Sequence, residues 1–392
     1  MKLFLIKLGK LYKSVKKNGI IPGIRMALSY GIIYLKNIFV VKRGDILFVT
    51  GGVGDSAMYR TINQAEELTL HGFHCSVTII DHPFLVSLAK KFRIFILNRP
   101  LYTSKVAAFI QEIKKQNKEI IFDTDDLVFD ADLFHLTDSY KKMNVFEKKQ
   151  YEKGIGSEII NDPYVRVLTT STAYLSALLQ KFGKKIFITK DRISNHELEL
   201  SSSILKNKKT ADDLVRIGYF SGTYSHNKDF ASITDALIKI LEKYPQTRLY
   251  LAGPLDKDNQ LNKYKNQIVT LPFVPRDSYY KNLNNVDINL APLIKGDPFC
   301  ESKFEIKFME PGLLKIPTVA VRNGTFSQAI EDGVDGFLAE NTTEWMEKIS
   351  RLIEKEDLRK AMGEKAREKV LRDYTNKNSH NEEYYNYLRS KL

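Results

Sequence analysis

Cysteine is scarce, acidic residues are missing from the start of the chain, and no apolar run is long and clean enough to cross a membrane. Two cysteines in 392 residues, Cys75 and Cys300, cannot build a disulfide framework or a cysteine-rich zinc site. A cytoplasmic location is therefore expected, and no metal ligand set is expected. The first 44 residues hold Lys2, Lys7, Lys10, Lys13, Lys16, Lys17, Arg25, Lys36, Lys42 and Arg43 with no Asp or Glu, so this arm carries ten of the formal net charge of +13. The rest of the chain is nearly balanced. No stacking pattern of aromatics and no nucleic-acid module accompanies the lysines, which argues against DNA or RNA as a partner. Hydrophobic residues at 43% and charged residues at 27% exclude a disordered or polytopic chain, and the length suits two domains.

The arm is patterned. At 100° per residue, Phe4, Leu5, Leu8, Leu11, Tyr12 and Val15 fall on one side, and the six lysines from Lys2 to Lys17 on the other. Residues 1–44 thus read as a basic amphipathic arm that lies on an anionic membrane surface, the inner face of the cell membrane, where each basic residue contributes about 1 kcal/mol. The competing reading is a helix packed on the protein's own body.

From residue 45 short apolar runs alternate with amphipathic stretches, the mark of α/β architecture with largely parallel sheets. Strands are expected at 45–50, 75–80, 93–97, 119–122, 165–169 and 185–189, with helices over 57–70, 105–115 and 174–182. A polar segment, 196–213, reads as a linker. The alternation resumes with strands at 215–220, 248–253, 267–271, 287–291 and 317–321, and helices over 231–244, 303–314, 343–354 and 358–372. Two doubly wound, Rossmann-like domains facing across a cleft follow, at 45–195 and 214–373, with a final helical segment at 374–392 that packs back on the body.

In such sheets ligands collect at the carboxyl ends of the strands. After the first strand comes Gly51-Gly52-Val53-Gly54, whose spacing is not that of a dinucleotide fingerprint. Its glycines admit a close backbone approach or simply make a tight turn. Arg60 on the next helix, His82 after the second strand, and the cluster Asp123, Asp125 and Asp126 after the fourth are further candidates. The aspartates suit either a hydroxylated ligand or, through Asp123 and Asp125, a hard cation. In the second half, Ser221-Gly222-Thr223 with His226 and Lys228 forms a small polar turn suited to a diphosphate. A helix begun at Lys303 would place Lys303, Lys307 and Glu310 on one face. The competing reading is a solvated Lys/Glu stripe.

Taken together, the order SGT…HNKD, RLYLAGPL, LPFVPRDSYY, INLAPL, SKFEIKFMEPGLLKIPTVAV and VDGFL resembles the donor domain of GT-B glycosyltransferases of the retaining family 4 type. YRTINQAEEL and FDTDDLVFD resemble the amino-terminal half of a branch of that group that assembles bacterial polysaccharides, such as capsule or O-antigen. The resemblance spans roughly 45–375. It implies transfer of a sugar from a nucleotide-sugar, which is a substrate and not a cofactor, to a glycan or lipid-linked acceptor with retention and without metal. It implies donor binding by Ser221, Gly222, Thr223, His226, Lys228, Val274, Phe304, Lys307 and Glu310, with the nucleotide base near 272–276 and the ribose on Glu310. Lys303 would stabilise the leaving diphosphate. The family places two glutamates with seven residues between them, but Ser302 stands at the first position, which leaves Glu301 or Glu305 to replace it. Gly54, Arg60, His82, Asp125 and Asp126 would face the acceptor. Two rivals are a transferase that holds metal on Asp123 and Asp125, and a non-catalytic membrane-associated scaffold, which the displaced glutamate favours.

Overall fold

The computed structural model describes residues 40–392, apart from 53, 142, 207–211, 223–225 and 256–257. The amphipathic arm, apart from its last residues, and Thr223 lie outside the described residues. The chain divides into two compact units, each built on one six-stranded parallel sheet. The first unit holds residues 40–195, 296–304 and 371–392, and the second 196–295 and 305–370.

The first sheet runs β2-β1-β3-β4-β5-β6, from β1 (Ile46–Thr50), β2 (Cys75–Ile79), β3 (Ile94–Asn98), β4 (Glu119–Thr124), β5 (Val167–Thr170) and β6 (Lys185–Ile188). Its central strands are continuous apolar runs because both faces are covered. Alternation sorts their side chains: Leu47 and Val49 of β1 join Phe95 and Leu97 of β3 in one core, while Ile46, Phe48, Ile94 and Ile96 point into the other. Full burial of each such side chain is worth about 1.5–3 kcal/mol. The second core is closed by the helix Glu382–Arg389, which contributes Tyr384, Tyr385 and Leu388. The final segment thus packs on the first sheet.

The second sheet runs β12-β11-β10-β7-β8-β9, from β7 (Val215–Phe220), β8 (Thr247–Ala252), β9 (Ile268–Leu271), β10 (Ile288–Ala291), β11 (Thr318–Val321) and β12 (Phe337–Ala339). This is the doubly wound order in which the chain starts in the middle, works outward to one edge, and returns to fill the other. Eleven of the twelve strands coincide with the expected runs to within two residues. Only β12, the three-residue strand that begins within VDGFL, has no counterpart in the apolar pattern.

Three expectations are revised. The polar stretch expected as a linker begins as a helix, Asn195–Lys206, because Glu197, Ser201 and Ile204 recur at i, i+4 and i+7 and bury one face. The helix expected over 57–70 is interrupted by a π-helical stretch, Met58–Asn63, in which Tyr59, Arg60, Thr61 and Asn63 are all buried. The helix expected from Lys303 starts at Ile306, after a separate short turn at Pro298–Glu301 capped by Asp297, whose carboxylate accepts from the N–H groups of Phe299 and Cys300. Lys303 therefore does not share a helix face with Lys307 and Glu310.

Candidate active site

Each sheet has one point where the strand order reverses, and loops that leave strands there in opposite directions open a crevice. In the first sheet that point lies between β1 and β3. The loop 51–54 leaves β1 and Arg99 directly follows β3. Gly51 has to be glycine, since a Cβ there would lie 2.7 Å from the carbonyl oxygen of Arg99. Arg99 itself adopts φ of 41°, an uncommon conformation for a side-chain-bearing residue.

Around this point the structure gathers a polar cluster. Arg99 Nε meets Asp125 at 3.0 Å, Arg99 Nη1 lies 3.6 Å from Asp126, and a further guanidinium N–H donates to Ser56. Ser56 Oγ donates to Asp125 at 2.6 Å, and Lys303 Nζ lies 3.3 Å from Asp126 while standing 3.4 Å from the centre of the Phe299 ring. Burial alone would raise the Asp125 carboxyl. Arg99, Arg60, Ser56 and Lys303 outweigh it and hold the carboxyl below the usual range, so it is an anion. Gly54 is exposed at the edge of the same loop.

Arg60 and Asp123 do something else. Arg60 is fully buried; it binds Asp123 through Nε (3.1 Å) and Nη2 (2.5 Å), Asp191 through Nη1 (3.0 Å), and both the hydroxyl and the carbonyl of Thr189. Asp123 also accepts from Asn98 (2.8 Å) and Thr169 (2.7 Å). This hub ties the helix after β1 to the ends of β3, β4, β5 and β6. Arg60 is thus turned inward, away from any acceptor, and the Asp123 carboxylate is engaged by three protein donors in the place where a cation was considered. Among the described residues no group of three or more His, Cys, Asp or Glu is disposed to hold a metal ion. His82 is also inward: it is 5% exposed and its Nδ1 accepts from the Phe84 N–H at 3.1 Å.

The segment 296–304 belongs with this unit. Phe299 packs on its core, Cys300 is buried, and Phe304 stands edge-on to Tyr374 at 6.2 Å. Ser302 is fully buried and donates to the Phe299 carbonyl (2.7 Å), while Glu301 accepts from the Gly296 N–H (3.0 Å). At the first-glutamate position, then, a small hydroxyl closes a turn.

In the second sheet the order reverses between β7 and β10. Ser221 and Gly222 follow β7; the Ser221 N–H donates to the Ala252 carbonyl (2.9 Å), and nothing stands within 4 Å of where a Gly222 Cβ would be. Asp229, 2% exposed, links the two loops: it accepts from His226 Nδ1 (2.7 Å) and from the Ile294 N–H beyond β10 (3.1 Å). Lys228, beside it in sequence, is exposed, and Val274 after β9 is half-buried.

The helix Ile306–Leu313 brings Lys307 and Glu310 to the same region of the unit, with Glu305 buried at its start. Lys307 Nζ donates to the carbonyl of Phe220 and lies 4.7 Å from the centre of the Tyr219 ring. Burial lowers its amine to about 8, against the pull of Glu310 and Asp229. Glu310 is 5% exposed; Arg276 Nη2 donates to its Oε1 (3.0 Å) and the Tyr279 hydroxyl to its Oε2 (2.6 Å). Arg276 also binds the buried Glu197, Nε at 2.7 Å.

Of the expected residues, the structure brings Asp125, Asp126 and Lys303 into one cluster, and Ser221, His226, Lys307 and Glu310 around the second reversal point. Ser56, Arg99, Glu197, Asp229, Arg276 and Tyr279 were not singled out. The rule that sites follow strands would have found Arg99, which comes one residue after β3. Nothing local marks Tyr279.

Residues 202–369 match the family model described as glycosyl transferases group 1. No curated protein matches the chain. Among solved structures, HepE from Anabaena in complex with UDP is similar at 15% identity and a TM-score of 0.61, covering 88% of this chain and all of its own. A glycosyltransferase from Rickettsia africae has the same identity and TM-score, covering 90% of this chain and all of its own. Sucrose-phosphate synthase from Thermosynechococcus elongatus, at 12% identity and 0.58, covers 85% of this chain and 95% of its own. The chain therefore has the two-domain GT-B fold, and its residues 202–369 are similar to the group 1 glycosyltransferases.

Proposed function

We propose that the protein transfers a sugar from a nucleotide-sugar bound to its second unit onto a glycan or lipid-linked acceptor recognised by its first. The observation that carries this reading is the convergence of Ser221, Lys307 and the Arg276–Glu310 pair at the strand-order reversal of a domain matched by the group 1 family. UDP in the Anabaena relative agrees with a nucleotide donor. The diphosphate lies against Ser221, Gly222 and Lys307, and the ribose on Glu310. As the glycosidic bond breaks, negative charge grows on the leaving diphosphate, and a fixed cation and backbone N–H groups stabilise it in place of a metal. By the family resemblance the configuration is retained, the leaving phosphate taking the acceptor's proton on the same face. Gly54, Ser56, Arg99, Asp125, Asp126 and Lys303 form the acceptor-side group. The basic arm at residues 1–44 holds the enzyme on an anionic membrane surface, where a lipid-linked acceptor of bacterial surface polysaccharide would be found; among the described residues no helix is long and apolar enough to cross it.

The test is calorimetric titration of UDP-, GDP-, dTDP- and CMP-sugars, with and without EDTA, on wild type and Glu310→Ala. Binding of one nucleotide that survives chelation and is lost in the variant supports the reading. Binding that needs metal and ignores Glu310 refutes it. A second reading, a scaffold that kept the fold and lost the chemistry, draws on Ser302 at the first-glutamate position; it expects no turnover even where a nucleotide binds.

A further inference from the structure

Arg99 and Lys303 meet at one oxygen. Arg99 Nη1 lies 3.6 Å from Asp126 Oδ2, and Lys303 Nζ lies 3.3 Å from the same atom. The other oxygen, Asp126 Oδ1, accepts from the Leu127 N–H at 2.8 Å, which caps the turn Leu127–Phe129 and fixes the carboxylate in place. Both cations are anchored. Arg99 is held by Asp125 at 3.0 Å and by Ser56. Lys303 stands 3.4 Å from the centre of the Phe299 ring, and Phe299 packs on the core of the first unit.

Donors at this point outnumber acceptors. A guanidinium has five N–H groups and an ammonium three. At 3.6 Å the Nη1 group is too far from Asp126 for a hydrogen bond, and it makes none among the described residues. Lys303 makes one, at 3.3 Å, of the three it can offer. Burial and the Asp126 and Glu147 carboxylates, against the pull of Arg99, raise the Tyr151 phenol, so it too keeps its proton. Its ring is held on Phe134, with centres 4.7 Å apart. The acceptors do not match this supply: Asp125 is committed to Arg99 and Ser56, and Asp126 has one oxygen left. Both cations keep 22% of their side chains exposed, so a ligand can reach them. A group rich in oxygens and negative in charge completes such a set, and a hydroxyl beside it would donate to Asp126 Oδ2.

We propose that Arg99 and Lys303 bind an anionic group of the acceptor, a phosphate or a carboxylate, while Asp126 accepts from a hydroxyl beside it, so that the enzyme glycosylates a sugar phosphate or an acidic glycan. This rests on the acceptor-side reading above. It goes further by giving the acceptor its charge and naming the residues that read it.

The experiment is NMR titration of the full chain with α-D-glucose 1-phosphate, methyl β-D-glucuronide and methyl β-D-glucoside, on wild type, Lys303→Gln and Asp126→Asn, alongside the melting midpoint of each. Wild type is expected to bind one of the two anionic probes at least about tenfold more tightly than the neutral glucoside, the worth of one charged hydrogen bond. Which of the two it prefers tells phosphate from carboxylate. Lys303→Gln should reduce that ratio to about threefold or less. Asp126→Asn keeps the cap on Leu127 and removes the competing charge, so its ratio should stay or rise. An ion pair that only holds the segment 296–304 would lower the midpoint in both variants and leave the ratio intact, which would overturn the inference. Equal binding of the three probes by wild type, or a ratio that falls alike in both variants, would overturn it too. Titration of nucleotide-sugars on the same samples keeps the two readings apart. If one binds wild type while the probes show no preference, this inference falls alone; if none binds, the transferase reading falls and its acceptor with it.

Discussion

Replacing Arg60 by leucine tests whether the first unit is organised around one buried cation. The guanidinium has no exposed surface and serves four groups: the Asp123 carboxylate, the Asp191 carboxylate, and the carbonyl and hydroxyl of Thr189. Leucine fills part of the volume but leaves Asp123 with only Asn98 and Thr169, and Asp191 without its cation. Removing one partner of a buried ion pair typically costs about 3–5 kcal/mol. Arg60→Lys restores the charge but not the fork, so it should still cost at least about 1.5 kcal/mol, the worth of one charged hydrogen bond. Urea unfolding followed by far-UV circular dichroism measures both. The single tryptophan, Trp345, lies in the second unit, so its fluorescence reports that unit separately. The dichroism midpoint should fall markedly and the fluorescence midpoint much less. A loss below about 1 kcal/mol for Arg60→Leu, the range of a surface pair, would refute the reasoning.

Three further outcomes are expected. Burial, with the nearby Asp125 and Asp123 carboxylates, pushes the Asp191 carboxyl up to about 7 against the pull of Arg60. The folded state then holds a proton that the unfolded chain, titrating at about 3.9, has released; stability should fall as pH rises from about 4 to about 7, and Asp191→Asn should flatten that slope in denaturation curves. For Lys307, whose amine titrates at about 8, two measurements should move in opposite directions: donor affinity should weaken as pH rises through about 8 and the cation is lost, while folding stability should rise between about 8 and the unfolded value of about 10.4. Donor affinity that stays flat to pH 9.5 would remove Lys307 from the diphosphate site. Gly253 has φ of 85°, and a Cβ there would lie 1.9 Å from the Ser221 carbonyl oxygen. Gly253→Ala should cost roughly 1–3 kcal/mol by the Trp345 transition and weaken nucleotide binding by displacing the loop after β7; unchanged affinity would separate that loop from the donor.

The α/β class, eleven strands and the residues gathered at the second strand-order reversal follow from local pattern. Strands buried on both faces must be short continuous apolar runs, and the turns after them must be polar or small, whatever the rest of the chain does. Ser221, His226, Lys307 and Glu310 were legible for that reason, each placed after a strand or at helical spacing from the next. Tertiary structure alone decided the partners. Arg60 and Asp123 look in sequence like solvent-facing candidates, yet they meet across 63 positions, where the Coulomb attraction between them offsets the cost of burying both. Lys303 reads as the first cation of a helix, but Asp297 caps an earlier turn and the Phe299 side chain finds its core in the first unit, carrying Lys303 to Asp126. The stretch 196–206 is polar in composition and helical in fact, because what it buries is Glu197 against Arg276, an ion pair that no hydropathy pattern records. Apolar burial depends on composition within a few residues and can be read along the chain. Buried charge depends on where the opposite charge lies, and only the folded chain supplies that.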